Sequence, residues 1–330
     1  MTRSRAAVRY LITGGAGFIG SNLAVRLLAD GHSVSVLDDF SRGRRGRLPA
    51  WTDLDVHEGD VRDPVRVAAA MQGCDAVIHA AYIQGTQTFY AEPRQVLDVA
   101  LRGMLAVLDA CAVTGCADLL LISSSEAYQV AGQVPTPETV PLTVPDPLNP
   151  RYSYGGGKIA CELMALAWER AGVLDRVIIA RPHNIYGPDM GKEHVIPEFC
   201  LRMNRLTASY PEGPIPFPVQ GSGLETRSFC FIGDCTAQLA LLLDPRTPAG
   251  IYHAGTMDEI TISQVAHLTA EYYGRRIKLE PGKLPQGSPP RRLPDVAKIA
   301  ALARGAGVDL PRTPFTRGLP LTVAWYRENT

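Results

Sequence analysis

Short apolar runs alternate with longer amphipathic stretches from the beginning of the chain. Val8 to Ile12 reads as a buried strand, TGGAGFIG (Thr13 to Gly20) as a turn, and the residues through Asp30 as a helix. SVSVLDD (Ser33 to Asp39), LDVHEGDVRD (Leu54 to Asp63) and DAVIHAA (Asp75 to Ala81) repeat the strand signal. From Pro93 to Thr114 apolar positions recur at helical spacing, and ADLLLISSSEAY (Ala117 to Tyr128) reads as a fifth strand with polar side chains at its C-terminal end. The proline-rich stretch Gln133 to Pro150 predicts a loop into a helix around Tyr154, and RVIIARPHNIYGPDMG (Arg176 to Gly191) a sixth strand and loop. Alternating strands and helices predict an α/β fold built on a doubly wound parallel sheet. Beyond it the composition shifts: the tracts Pro211 to Gly223 and Pro281 to Arg292 read as loop, with shorter elements between. The expected division is 1–182 for the sheet domain and 183–330 for a smaller lobe, some of whose segments return to the first.

Composition narrows the partners. The 330 residues carry 33 Lys+Arg and 33 Asp+Glu. That balance argues against a nucleic-acid surface and leaves phosphate recognition to a few local arginines. The seven cysteines are scattered without a CxxC pair or a His/Cys cluster, so no metal site is expected and reduced thiols in a cytoplasmic protein fit best. A short basic arm runs straight into the first strand, predicting no signal peptide, and no apolar run reaches membrane-spanning length.

The candidate chemistry begins at the first turn. Gly15, Gly17 and Gly20 satisfy GxGxxG, and Gly14, Gly17 and Gly20 the wider GxxGxxG, between a strand and a helix. Such a turn brings backbone close to a pyrophosphate at a positive helix N-terminus. Asp38, eighteen residues after Gly20, is placed for an adenosine ribose diol and favours NAD over NADP; Arg42, Arg44 and Arg45 offer the opposing reading, a 2′-phosphate site. Asp60 faces an adenine edge or forms a helix N-cap region before Pro64. His79 reads as packing. Tyr154 and Lys158 share one helix face, where an ammonium favours the phenolate and makes tyrosine a usable base. The glycines 155–157 cost about 1 kcal/mol each inside a helix. Either cofactor or substrate approaches that backbone closely, or the helix begins at Lys158.

On these motifs the chain resembles, over nearly its whole length, the extended short-chain dehydrogenase/reductase family, specifically its NAD-dependent nucleotide-sugar epimerases and dehydratases, with their Rossmann-type sheet and smaller C-terminal substrate-binding lobe. The resemblance implies cofactor contacts at Gly14, Gly17, Phe18, Ile19, Gly20, Asp38, Asp60, Val61, Ala80, Ala81, Tyr154 and Lys158. It implies Ser124, Tyr154 and Lys158 as the catalytic set, with Ser125, Asn184, Arg227 and Arg292 toward a nucleotide-diphosphate sugar, and a homodimer packed through long helices. Three positions depart from the family pattern: Ala100 for asparagine, His183 for phenylalanine and Gln129 for glycine. Glu126, two residues after Ser124, resembles the Ser/Thr-x-Glu arrangement of 4,6-dehydratases and glucuronate decarboxylases, and as a base for the C5 proton it puts 4,6-dehydration first. A 4-epimerase is the next alternative, then a decarboxylase, then a non-catalytic NAD sensor. Glu126 can also simply cap the following turn or pair with an arginine.

Overall fold

The computed structural model describes residues 7–284 and 287–330, the side chain of Thr86 excepted. The basic arm before Ala7, and Pro285 and Gln286 of the second proline tract, lie outside the described residues. The chain divides into two compact units: residues 1–127, 144–181 and 236–252 in the first, and 128–143, 182–235 and 253–330 in the second.

The first unit runs through β1 (Arg9–Thr13), α1 (Phe18–Ala29), β2 (Ser33–Asp38), β3 (Leu54–Glu58), α2 (Pro64–Met71), β4 (Ala76–His79), α3 (Thr86–Ala91), α4 (Pro93–Thr114), β5 (Asp118–Ile122), α5 (Tyr152–Arg170) and β6 (Arg176–Pro182). These six strands lie in the order β6-β5-β4-β1-β2-β3, every neighbouring pair parallel, and the strand Gly250–Ala254 extends the sheet beyond β6. The order reverses between β1 and β4, the place where an open α/β sheet leaves a crevice for a ligand. β1, β2, β4 and β5 are buried nearly throughout, which is why their sequences read as continuous apolar runs.

Local signals set the helix ends. Asp63 caps α2 by accepting from the backbone N–H groups of Val65 and Arg66, with Pro64 at the first helical position. α4 also opens on a proline and stops at Gly115, whose left-handed backbone (φ 75°) closes it.

One expectation needs correction here, and one alternative falls. The fifth strand does not reach Tyr128: it ends at Ile122, and Ser125–Tyr128 forms a single 3-10 turn. Side chains on that turn therefore do not alternate as on a strand. The helix carrying Tyr154 does not begin at Lys158. It runs from Tyr152, with all three glycines inside it.

Among the described residues, the second unit holds sheets of two or three strands, including Thr226–Ser228 flanked by Glu259–Thr261 and Arg291–Arg292. The tract read as loop from Pro211 contains the strand Ile215–Val219, paired in parallel with Ile277–Pro281. Ile215, Phe217 and Val219 are buried while Pro216 and Pro218 are not, so the prolines conceal a period-two pattern.

Candidate active site

The nucleotide cradle is built from backbone. Gly14 has φ 69°, and a Cβ there would lie 2.7 Å from the Cα and N of Ala81, at the end of β4. A Cβ on Gly20 would strike the Gly14 carbonyl oxygen, so both glycines let β1, β4 and α1 close on one another. α1 then begins behind Gly17 with no side-chain cap, leaving Phe18 and Ile19 in a first turn whose donors suit an external anion. Asp38, buried at the end of β2, accepts from Ala16 N (Oδ2, 2.9 Å) and Phe40 N (Oδ1, 2.9 Å). Burial raises its carboxyl above the usual range against those two hydrogen bonds. The carboxylate thus ties β2 to the glycine turn. These features fit a dinucleotide: a close-packed turn, an open helix N-terminus and a fixed acid.

Around the adenosine side, Arg45 is paired with Glu58 at 2.5 Å and lies over the Phe40 ring, 4.2 Å from its centroid. Asp60 is clasped by Arg62, whose Nε lies 3.0 Å from each carboxylate oxygen, and Arg62 also reaches Asp98 at 2.6 Å. The Arg62 hydrogen bond holds the Asp60 carboxyl below its ordinary range. The capping alternative for Asp60 is ruled out, because the cap is Asp63. Val61 is buried against α4: a Cβ on Gly103 would come within 2.9 Å of its Cγ1.

The candidate reacting groups lie where β5 ends and α5 begins. Lys158 is buried, donates from Nζ to the Ile122 carbonyl at 2.7 Å, and lies 3.8 Å from the Tyr82 ring centroid. Burial lowers its pKa to about 8. Its Nζ is 5.8 Å from the Tyr154 ring centroid. The Tyr154 ring stacks on Phe89 of α3 (centroids 4.6 Å apart, planes at 24°) and meets Tyr82 edge-on at 5.0 Å. Its hydroxyl oxygen accepts a hydrogen bond from Gln84 Nε2 at 2.9 Å. Ser124 Oγ accepts from the Glu126 backbone N at 3.1 Å, which closes the turn that carries Ser125. The Glu126 carboxylate lies 4.0 Å from Arg151 Nη2, and Arg151 Nε is buried without a hydrogen-bond partner. His79 shares a hydrogen bond with Thr13 Oγ1 at 2.8 Å; burial first, then the charge of Lys158, takes it down to about 3, so it stays neutral and packs.

Behind this turn sits a buried brace. Glu162, one helical turn beyond Lys158, accepts from Ser123 Oγ at 2.5 Å and from Arg181 through Nε at 3.0 Å and Nη2 at 2.5 Å. It fixes α5 to the ends of β5 and β6. Packing accounts for Gly157. A Cβ there would strike the Tyr82 hydroxyl and come 3.3 Å from Ala100 Cβ on α4. Ala100, one of the departures, is thus half of a small-residue contact between α4 and α5.

The remaining candidates lie in the second unit. Asn184, at φ 43°, donates from Nδ2 to the Ser228 carbonyl at 3.1 Å. Arg227 and Arg292 are register partners on adjacent strands, which brings the two together on one sheet face. Arg227 donates to the carbonyls of Thr226 (2.7 Å) and Pro289 (2.9 Å). Gln129 has φ 52°, so the position where the family pattern has glycine keeps the backbone glycine favours. His183 packs its ring 4.6 Å from His253, whose Nε2 is 2.7 Å from the Tyr128 hydroxyl.

Gln84, Phe89, Arg151 and the Glu162–Arg181 pair were not singled out from sequence. Glu162 carried a signal, a charge four residues after Lys158 on the same face; Gln84 and Phe89 sit in no motif at all. Among the described residues no group of three or more His, Cys, Asp or Glu could hold a metal, and no helix is long and apolar enough to cross a membrane.

Residues 10–255 match the model of the NAD dependent epimerase/dehydratase family. The chain belongs to this family. NAD is its cofactor, and nucleotide sugars are its substrate class. It is 30% identical to UDP-glucuronic acid decarboxylase 1 of Xenopus tropicalis over 97% of this chain and 72% of that one. Among solved structures it is similar to a dTDP-glucose 4,6-dehydratase from Streptomyces venezuelae with NAD bound (29% identity, 97% of each chain, TM-score 0.83). It is also similar to UDP-glucose 4-epimerase from Thermus thermophilus in complex with NAD (28% identity, 98% of this chain and 100% of that one, TM-score 0.81).

Proposed function

We propose that this enzyme oxidises a nucleotide-diphosphate uronate at C4 and releases its C6 carboxylate as carbon dioxide. Arg151 carries the choice among the reactions of the family. Its guanidinium stands 4.0 Å from Glu126 with a buried, unpartnered Nε, an under-used cation beside the candidate catalytic turn. Arginine recognises a carboxylate with paired donors, so a C6 carboxylate is the ligand that completes it. Similarity to a UDP-glucuronic acid decarboxylase supports the same reading.

Gly14, Gly17, Phe18, Ile19, Gly20, Asp38, Asp60, Val61, Ala80 and Ala81 hold the cofactor. When bound there, NAD would supply the hydride acceptor for C4 and the hydride donor for its reduction at the end. Tyr154 takes the O4 proton, Ser124 hydrogen-bonds O4, and buried Lys158 contributes a fixed charge beneath the tyrosine. With a ketone at C4, the C6 carboxylate belongs to a β-keto acid. Its C5–C6 bond breaks without an acid for the leaving group, and the electron pair passes to O4, where Ser124 and Tyr154 stabilise it. Glu126 relays to C5 a proton drawn from solvent, which fills the position that the carboxylate leaves. Ser125, Asn184, Arg227 and Arg292 are the residues proposed to contact the sugar and diphosphate.

The 4,6-dehydration that the Ser-x-Glu pattern resembles is the second reading: Glu126 takes the C5 proton, and Arg151 serves only as its partner. The similarity to a dTDP-glucose 4,6-dehydratase favours it. Exposed Leu97, Leu105 and Val113 on α4 and Leu163 on α5 support a homodimer, and seven buried free cysteines support a cytoplasmic setting. Product mass from a panel of UDP-, GDP-, dTDP- and CDP-linked hexoses and uronates is the test. Loss of carbon dioxide from a uronate agrees with the proposal; loss of water means dehydration, and unchanged mass means epimerisation.

A further inference from the structure

Gln84 lies on the segment between β4 and α3, outside every motif of the sequence, yet its amide nitrogen is 2.9 Å from the Tyr154 hydroxyl oxygen. An amide N–H is donor only, so this oxygen is the acceptor whichever state it occupies, and the bond gains strength when the oxygen is charged. Two further polar groups close to this ring make bonds of their own. Tyr82 donates its hydroxyl to the backbone carbonyl of Tyr154 at 3.2 Å, and Lys158 donates to the Ile122 carbonyl. Phe89 stacked on the ring and Val96 beneath it are apolar and cannot solvate a phenolate.

We propose that Gln84 is a positioning residue for the reaction, holding the Tyr154 phenolate in place and favouring it by donating to its oxygen. The inference rests on the reading of Tyr154 as the base. A hydrogen bond to the charged form stabilises that form, so the amide extends the working range of Tyr154 toward lower pH. Of the titratable and charged groups around Tyr154, Lys158 lies on its own helix and Tyr82 on the segment after β4. Cys161 lies next to Lys158 and Tyr82, and its thiol is pushed up to about 11 by burial. α3 and α4 bring Phe89 and Val96. None of these is altered by a change at position 84, so a shift there reports the amide.

The experiment compares wild type with Gln84→Leu, which keeps bulk without a donor, and Gln84→Glu, which keeps shape and adds a negative charge. The acid limb of the kcat profile should move up by about one to two pH units in Gln84→Leu, the size of one hydrogen bond to a charged group. It should move further in Gln84→Glu, with KM and bound NAD close to wild type in both. Tyrosinate absorbance, read as the difference between each protein and its Tyr154→Phe counterpart, should move in parallel. An unmoved limb in both variants while Tyr154→Phe is inactive overturns the role of Gln84 alone. Full turnover by Tyr154→Phe overturns the assignment of the base, and the inference with it.

Discussion

The nucleotide cradle and the reacting corner sit in the same sheet unit but are built on opposite principles. In the cradle the working surface is backbone: Gly14 against Ala81, Gly20 against Gly14, and a helix N-terminus without a side-chain cap. At the corner it is made of side chains delivered from separate stretches: Gln84 onto Tyr154, Arg151 toward Glu126, and Arg181 through Glu162 to Ser123. Backbone surfaces fail by steric exclusion, and side-chain constellations fail by lost charge and lost hydrogen bonds. The two regions should therefore break differently.

The largest effect expected is on turnover. Tyr154→Phe should lower kcat by about two to four orders of magnitude, the range for a removed acid or base, while NAD stays bound. Gly14→Val should do the reverse, abolishing NAD binding, because its side chain meets the backbone of Ala81 at a φ that favours glycine. NAD released on denaturing each protein checks both. Cofactor lost from Tyr154→Phe, or kept at full occupancy in Gly14→Val, would erase the distinction.

Next comes the brace. Glu162→Gln or Arg181→Met alone leaves one member of a buried ion pair without its counter-charge, and should cost about 3–5 kcal/mol in denaturant unfolding. The double replacement Glu162→Leu with Arg181→Met should recover most of that stability yet leave turnover low. Turnover rising with stability would make the brace purely structural.

Arg151→Leu is expected to be milder. It should raise KM for a nucleotide uronate by about 10-fold or more, the loss of a charged hydrogen-bond partner, with NAD content unchanged. An unaltered KM would return Arg151 to the role of a partner for Glu126.

The last effect, on stability rather than turnover, belongs to His79. Its folded pKa, about 3, is depressed below the ordinary value of 6.5, so between those values the unfolded chain binds more protons. Stability should fall as pH drops from 6.5 toward 3, with this residue contributing up to about 1.4 kcal/mol per pH unit. His79→Leu should flatten that slope in denaturation series at pH 7 and pH 5.

The same contrast explains what was legible in the residues alone. Glycine spacing, the acid at the end of β2 and the apolar runs encode backbone geometry locally, so the parallel sheet and the α4 boundaries could be read directly. Ser125 to Tyr128 was misread because a 3-10 turn and a strand end share the same short polar composition. The strand Ile215–Val219 was hidden because its alternate positions are prolines. Gln84 and Arg151 stood in no pattern, since their partners are set by how α3 and α5 pack rather than by spacing.

The central claim is that a single carbon, C4, gives up a hydride and receives it back while the carboxylate leaves. It is tested most directly with a nucleotide uronate carrying deuterium at C4, followed by NMR of the product. The account predicts carbon dioxide release with the deuterium retained at C4 of the shortened sugar. Deuterium found at C6 after loss of water, or washed out to solvent, would contradict it.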